Sequence, residues 1–76
     1  MINMNKEILK ISKEWYLSNA EVSDNMEAIF FGMATFWKKQ KDMTNYRQAL
    51  KDARACRLSA QTSINRASEV EGKLYA

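Results

Sequence analysis

The sequence predicts an all-α protein: a short N-terminal helix followed by a long antiparallel helical hairpin that self-associates. Three observations carry this reading. The 76 residues include no proline and only two glycines, Gly32 and Gly72, while Ala, Lys, Glu, Gln, Met and Leu are abundant, a composition that favours helix over sheet. Apolar residues recur at spacings of three and four, the period of a helix face. Finally, a chain this short builds a core that usually supplies no more than about 3–5 kcal/mol, so something must supplement it. Cys56 is the only cysteine and there is no histidine, which excludes an intrachain disulfide and a structural zinc site. Oligomerisation remains.

The first helix is expected over about residues 3–17, with Met4, Ile8, Ile11 and Trp15 on one side and Lys6, Lys10 and Lys13 on the other. Its apolar side either caps the core or belongs to a mobile arm whose aromatics touch a ligand. Ser18 is followed three residues later by Glu21, a capping-box spacing that marks a helix start, and Asp24 and Glu27 suit the positive end of the helix dipole. The second helix is therefore expected over about residues 20–41, with Val22, Met26, Ile29, Met33 and Phe36 forming a seam.

That seam leaves apolar residues over. Nine of the ten positions from Ala28 to Trp37 are apolar once Gly32 is counted, with only Thr35 interrupting them. A helix apolar nearly all round is enclosed by protein on more than one side. The excess predicts a subunit interface at Phe30, Phe31, Gly32, Phe36 and Trp37. Gly32 inside a helix costs roughly 1 kcal/mol relative to alanine, which the close approach of a backbone or a planar ligand would offset.

Lys38 to Tyr46 forms a short polar connection in which Asp42 or Thr44 can cap the next helix, and so brief a link makes its neighbours antiparallel. The third helix is expected over about residues 45–71, with Gly72 ending it. Tyr46, Ala49, Ala53, Cys56, Ala60, Ile64 and Ala67 share one face, mostly small, over which Phe30, Met33 and Trp37 can lie. Cys56 reads as a small buried hydrophobe. Arg47, Lys51 and Arg54 line the opposite side, continued by Gln61 and Asn65, with Arg57 at the margin and Arg66 further round. Such a stripe is either a solvated face or an anion site, since guanidinium groups grip phosphate with forked hydrogen bonds.

Without histidine there is no Ser/His/Asp or Cys/His pair, and no glycine-rich phosphate loop or metal-ligand spacing occurs. The reading is a binding protein, not an enzyme, with no cofactor. A net charge of +3, from 12 basic and 9 acidic residues, is too small for a general binder of long nucleic acid. The apolar run is too short to span a bilayer, residues 1–10 lack a signal-peptide core, and a lone thiol fits a reducing cytoplasm. Two classes of binding remain: an inhibitor that docks an aromatic patch of Phe31, Phe36 and Trp37 on a larger protein, or an oligomeric receptor for a small anion that stacks on Trp15 or Tyr16 and gives its phosphates to Arg or Lys.

Two blocks bear on that choice. Residues Tyr16 to Val22 read YLSNAEV, an aromatic followed by Leu-Ser and an acidic-aliphatic helix start, with Gly32 further along; Ala53-Arg54 and Ile64-Asn65-Arg66-Ala67 follow at an ungapped spacing. In these blocks, within roughly residues 15 to 68, the chain resembles a small family of phage proteins that defeat CBASS immunity by sequestering its cyclic-nucleotide signals. The resemblance implies a helical hairpin assembled as a hexamer, acting as a sponge for cyclic di- or trinucleotides in the cytoplasm of an infected bacterium. It also implies that Tyr16 stacks on a base and that Arg54 or Arg66 contacts phosphate, while Lys38, Lys39 and Arg47 are further candidates from the basic stretches. Where the family pattern has a lysine near the middle of the first hairpin helix, this chain has Ile29-Phe30-Phe31. Either the pocket is built differently or the likeness is to the scaffold alone. The alternative is a protein-binding inhibitor of a host defence factor.

Overall fold

A computed structural model describes the backbone of residues 2–75 and the side chains of residues 6–75. Two long helices, α1 (Ile2–Lys39) and α2 (Met43–Leu74), pack side by side as an antiparallel hairpin. The Cα trace measures 59 × 13 × 12 Å, and the long dimension matches the roughly 57 Å that 38 residues span at about 1.5 Å each. The molecule is a straight rod two helices thick.

The expected short first helix does not exist as a separate element, because α1 runs unbroken through Ser18–Glu21. A capping box makes a helix start favourable without forbidding helix before it, and no proline or glycine interrupts this stretch. Continuing the helix keeps its amides bonded and carries Leu9, Ser12 and Tyr16 into partial burial on the hairpin. Ile8, Ile11 and Trp15, expected on the core side, are exposed instead. Met4, the other member of that pattern, lies outside the described side chains.

The helices meet along two seams of matching period. On α1, Leu9, Lys13, Tyr16, Ala20, Ser23, Glu27, Phe30, Ala34 and Trp37 are all buried or half-buried, and their spacing alternates strictly between four and three. On α2, Tyr46, Ala49, Ala53, Cys56, Ala60, Ser63, Ala67, Val70 and Leu74 do the same. Such a 3.5-residue period keeps two helices in contact along their whole length. The small-residue face of α2 thus packs as the sequence indicates, with Ser63 in the place expected for Ile64, which is exposed.

The side of α1 that faces α2 differs from expectation. Val22, Met26, Ile29, Met33 and Phe36 form a seam, but one turned away from α2 and into solvent. Met33 therefore does not lie over the alanines, whereas Phe30 and Trp37 do face α2. The physical reason is fit. The inward seam intersperses Ala20, Ser23 and Ala34 among its larger residues and interlocks closely with an alanine face, which an unbroken row of large side chains cannot approach.

The fully buried residues are consequently small: Ala20, Ala34, Ala49, Ala53, Ala60 and Ala67, with Ser63 at the margin. Among the described residues no large side chain is completely buried. Polar pairs complete the contact and fix its register: Lys13 with Glu71 at 3.1 Å, Ser23 with Ser59 at 3.2 Å, and Arg57 with Glu27 at 3.1 Å.

The connection is a tight reversal in which Asp42 serves both helices. The Asp42 amide donates to the Trp37 carbonyl at 3.0 Å and the Lys41 amide to Lys38 at 3.1 Å, the two bonds of a Schellman ending. Lys41 is left-handed at φ 59°, where glycine is the usual residue. The Asp42 carboxylate then accepts from the Asn45 amide at 3.1 Å and from the Asn45 side chain at 2.8 Å, so that of the two candidates it is Asp42, not Thr44, that caps α2. Gly72, expected to end the last helix, lies inside it, and Tyr75 is the C-cap. Two substitutions here should act in opposite directions. Asp42→Ala should cost about 1 kcal/mol through the lost cap, and Lys41→Gly should gain about 1 kcal/mol by relieving the left-handed strain. Thermal melts followed by circular dichroism would reveal shifts of opposite sign; a rise for Asp42→Ala would contradict the cap.

Candidate functional site

The open end of the hairpin, where the start of α1 lies beside the end of α2, holds a groove of about 530 Å³. Lys6, Lys10, Lys13, Glu14 and Leu17 form its α1 wall, and Leu74 and Tyr75 its α2 wall. Lysines at spacings of four and three share one side of α1, so the helix itself gathers the three cations. Two of them already have carboxylate neighbours. Lys13 Nζ donates to Glu71 Oε1 at 3.1 Å, and Lys10 Nζ lies 3.9 Å from Glu7. Solvent-accessible pairs of this kind are worth about 0–1 kcal/mol, so a phosphate could compete for both ammonium groups.

A smaller concavity of about 180 Å³ is lined by Ile11, Ser12, Trp15 and Tyr16. Trp15 is exposed, Tyr16 is half-buried against α2, and their rings meet edge to face with centroids 5.2 Å apart. Trp15 offers the more accessible stacking surface of the two.

The register determines which of the expected ligand residues come together. Tyr16 lies within about one turn of the level of Arg66 along the rod, so Trp15, Tyr16 and Arg66 share the open end. Arg54 sits about 20 Å further along, and Lys38, Lys39 and Arg47 more than about 30 Å away at the turn. One protomer thus divides the set into two separate regions. At the turn, Lys38 Nζ lies 5.9 Å from the Tyr46 ring centroid, a cation–π contact that ties α1 to α2. Lys39, Arg47, Arg54 and Arg66 are exposed, and among the described residues Arg57 alone of the α2 stripe is paired across to α1, through Glu27.

The five residues expected at a subunit interface also divide. Phe30 and Trp37 are half-buried on the α2 side, while Phe31, Gly32 and Phe36 are exposed. Phe36 stacks edge to face on Trp37 with centroids 5.0 Å apart. A Cβ at Gly32 would meet nothing within 4 Å, so no packing inside the protomer requires glycine there.

The lysine groove was legible in part: the spacing of Lys6, Lys10 and Lys13 is visible in sequence, but Tyr75 lies beyond the expected end of the last helix. Among the described residues no three His, Cys, Asp or Glu side chains converge on a metal-sized site, and no helix is long and apolar enough to cross a membrane. No family model, curated protein or solved structure matches the chain.

Proposed function

We propose that the protein is a non-enzymatic, self-associating binder that sequesters a small anionic ligand, of the cyclic oligonucleotide class that the resemblance to phage anti-CBASS sponges implies. The observation that supports this most is the open end of the hairpin. There the exposed Trp15 ring and Arg66 lie at one level of the rod, while three lysines line a separate groove on the other side of α1; cations and an aromatic, which phosphates and bases require, are both present, in two patches. Lys39, Arg47 and Arg54 lie too far along the rod to join that site within one protomer. A second copy placed alongside would have to supply them.

Native mass spectrometry with a panel of cyclic di- and trinucleotides tests this directly. Retention at micromolar concentration is expected, and no retained nucleotide would remove the sponge reading. Given retention, Trp15→Ala and Arg66→Ala should each weaken binding by about 1–3 kcal/mol, for a lost stacking surface and a lost charged hydrogen bond. Both side chains are exposed, so neither change should disturb the fold.

The alternative, a helical inhibitor that docks on a host defence protein, draws on the exposed Phe31 and Phe36. It predicts no nucleotide binding and an outer α1 face that engages a foreign partner instead of another copy.

A further inference from the structure

The outer seam of α1 comprises Ile8, Ile11, Trp15, Val22, Met26, Ile29, Met33 and Phe36, each 38–63% exposed. It extends from Ile8 to Phe36, about 42 Å of helix, as an apolar strip interrupted by Ser18 between Trp15 and Val22. The other helix of the hairpin cannot cover it, because α2 already occupies the inward seam. An apolar strip of this length marks an interface.

The order of residues along the strip identifies the occupant. Counted outward from Val22, Ile8 and Phe36 are both 14 residues away, Ile11 and Met33 both 11, and Trp15 and Ile29 both 7. Only Met26, 4 residues out, meets a small counterpart, Ser18. A surface with this symmetry complements itself under a two-fold axis through Val22, the condition for an isologous contact between identical chains. Antiparallel pairing sets Trp15 against Ile29 and Phe36 against Ile8, so that each aromatic faces an aliphatic and the helices keep an even separation. Parallel pairing would stack Trp15 on Trp15 and Phe36 on Phe36, with thinner layers between.

Charge at the ends of the strip favours the same direction, against a like-charge approach of the two Glu21 side chains at its centre. Glu7, Glu14 and Glu21 follow one flank at seven-residue intervals, and the far end of α1 carries Lys38 and Lys39. Antiparallel packing brings Glu7 of each copy beside Lys39 of the other, and the opposed helix dipoles also attract. Gly32 lies on that flank, where the missing side chain makes room for a neighbouring helix that the protomer itself does not supply. The strip, one helix wide, covers roughly 1,000 Å² for the pair, at the lower bound of specific interfaces. The contact is therefore expected to depend on concentration.

We infer that two copies of the chain associate through the outer faces of α1 as an antiparallel pair centred on Val22, giving a four-helix assembly. This deepens the self-association on which the proposed function rests; because it places Trp15 in the contact, Trp15→Ala would weaken the pair as well as any ligand stacked on that ring.

Single-thiol variants in a Cys56→Ser background, treated with a short bismaleimide in the absence of nucleotide, read the geometry. Val22→Cys should yield covalent dimers. Ile8→Cys and Phe36→Cys should each stay monomeric alone, with their like thiols about 42 Å apart, and give dimers when mixed. Sedimentation should show a dimer at high micromolar concentration, with Val22→Asp weakening it about tenfold or more while helical circular dichroism is retained. Cross-linking of Ile8→Cys with itself would overturn the antiparallel arrangement. A monomer at every concentration, including one whose outer seam binds only lipid vesicles or a foreign protein, would overturn the self-association itself. Nucleotide retention without a dimer would leave the ligand reading standing and remove this one; a dimer without retention would do the reverse.

Discussion

Ala53→Leu should destabilise the hairpin by about 3 kcal/mol, the upper end of the range for overpacking a tight contact. Ala53 has no solvent exposure at all and lies on the α2 seam among Ala49, Cys56 and Ala60. A leucine there must force the helices apart, and every neighbouring alanine then loses contact together because the seams are rigid rods. The effect is large because little else holds the pair: apart from Ser63 the buried side chains are methyl groups, and a small domain has only a few kcal/mol to lose. Ala55→Leu is the internal control, since Ala55 is exposed two residues away on the same helix and should change stability by less than about 0.5 kcal/mol. Urea titrations of the two variants decide the matter. Equal midpoints would mean that the alanine seam is not the contact surface.

The second large effect concerns the more deeply buried of the two ion pairs placed on the seam, since Glu27 is less exposed than Lys13. Glu27 occupies an inward position in α1 with its side chain only 15% exposed, and its carboxylate forms an ion pair with Arg57, whose Nε lies 3.1 Å away. Removing the arginine leaves that carboxylate largely dehydrated and unpaired. A fully buried pair broken in this way costs about 3–5 kcal/mol; Arg57 remains mostly in solvent, which reduces the expected loss for Arg57→Ala to about 1–2 kcal/mol. Glu27→Leu should behave differently, staying neutral or gaining about 1 kcal/mol, because an apolar side chain fits the seam without a desolvation cost. In the Glu27→Leu background, Arg57→Ala should then be silent. A double-mutant cycle with no coupling would show that the pair contributes nothing to the fold.

Much of the architecture was legible because it depends on local rules. The absence of proline and the polar link within Lys38–Tyr46, with Asp42 or Thr44 as its cap, specify an antiparallel helical hairpin, though not that its first arm is one unbroken helix. The recurrence of Ala49, Ala53, Ala60 and Ala67 specifies the close-packed face of α2. The site was less legible. Trp15, Tyr16 and Arg66 share a level only because of the register of the hairpin, and Arg47 and Arg54, adjacent to them in no sense but chemistry, lie further along the rod.

Two of the readings that failed did so for reasons that concern α1. The Ser18–Glu21 capping box permits a helix start but supplies nothing that breaks a helix already under way, so α1 continues through it. The outer seam of α1 is the more hydrophobic of its two stripes, and hydrophobicity alone assigns it to the core. The inward stripe includes Lys13, Ser23 and Glu27, which only partners on α2 make tolerable: Glu71, Ser59 and Arg57.

The sequence by itself thus determined helix, turn, cap and the small-residue face, because propensity and periodicity act within a few residues. Only the tertiary structure decided which stripe of α1 faces inward. That choice depends on shape and on polar pairs between residues up to 58 positions apart, which no local pattern encodes. The consequence is a hairpin that spends its polar and small residues on its own core and leaves its large apolar ones facing outward.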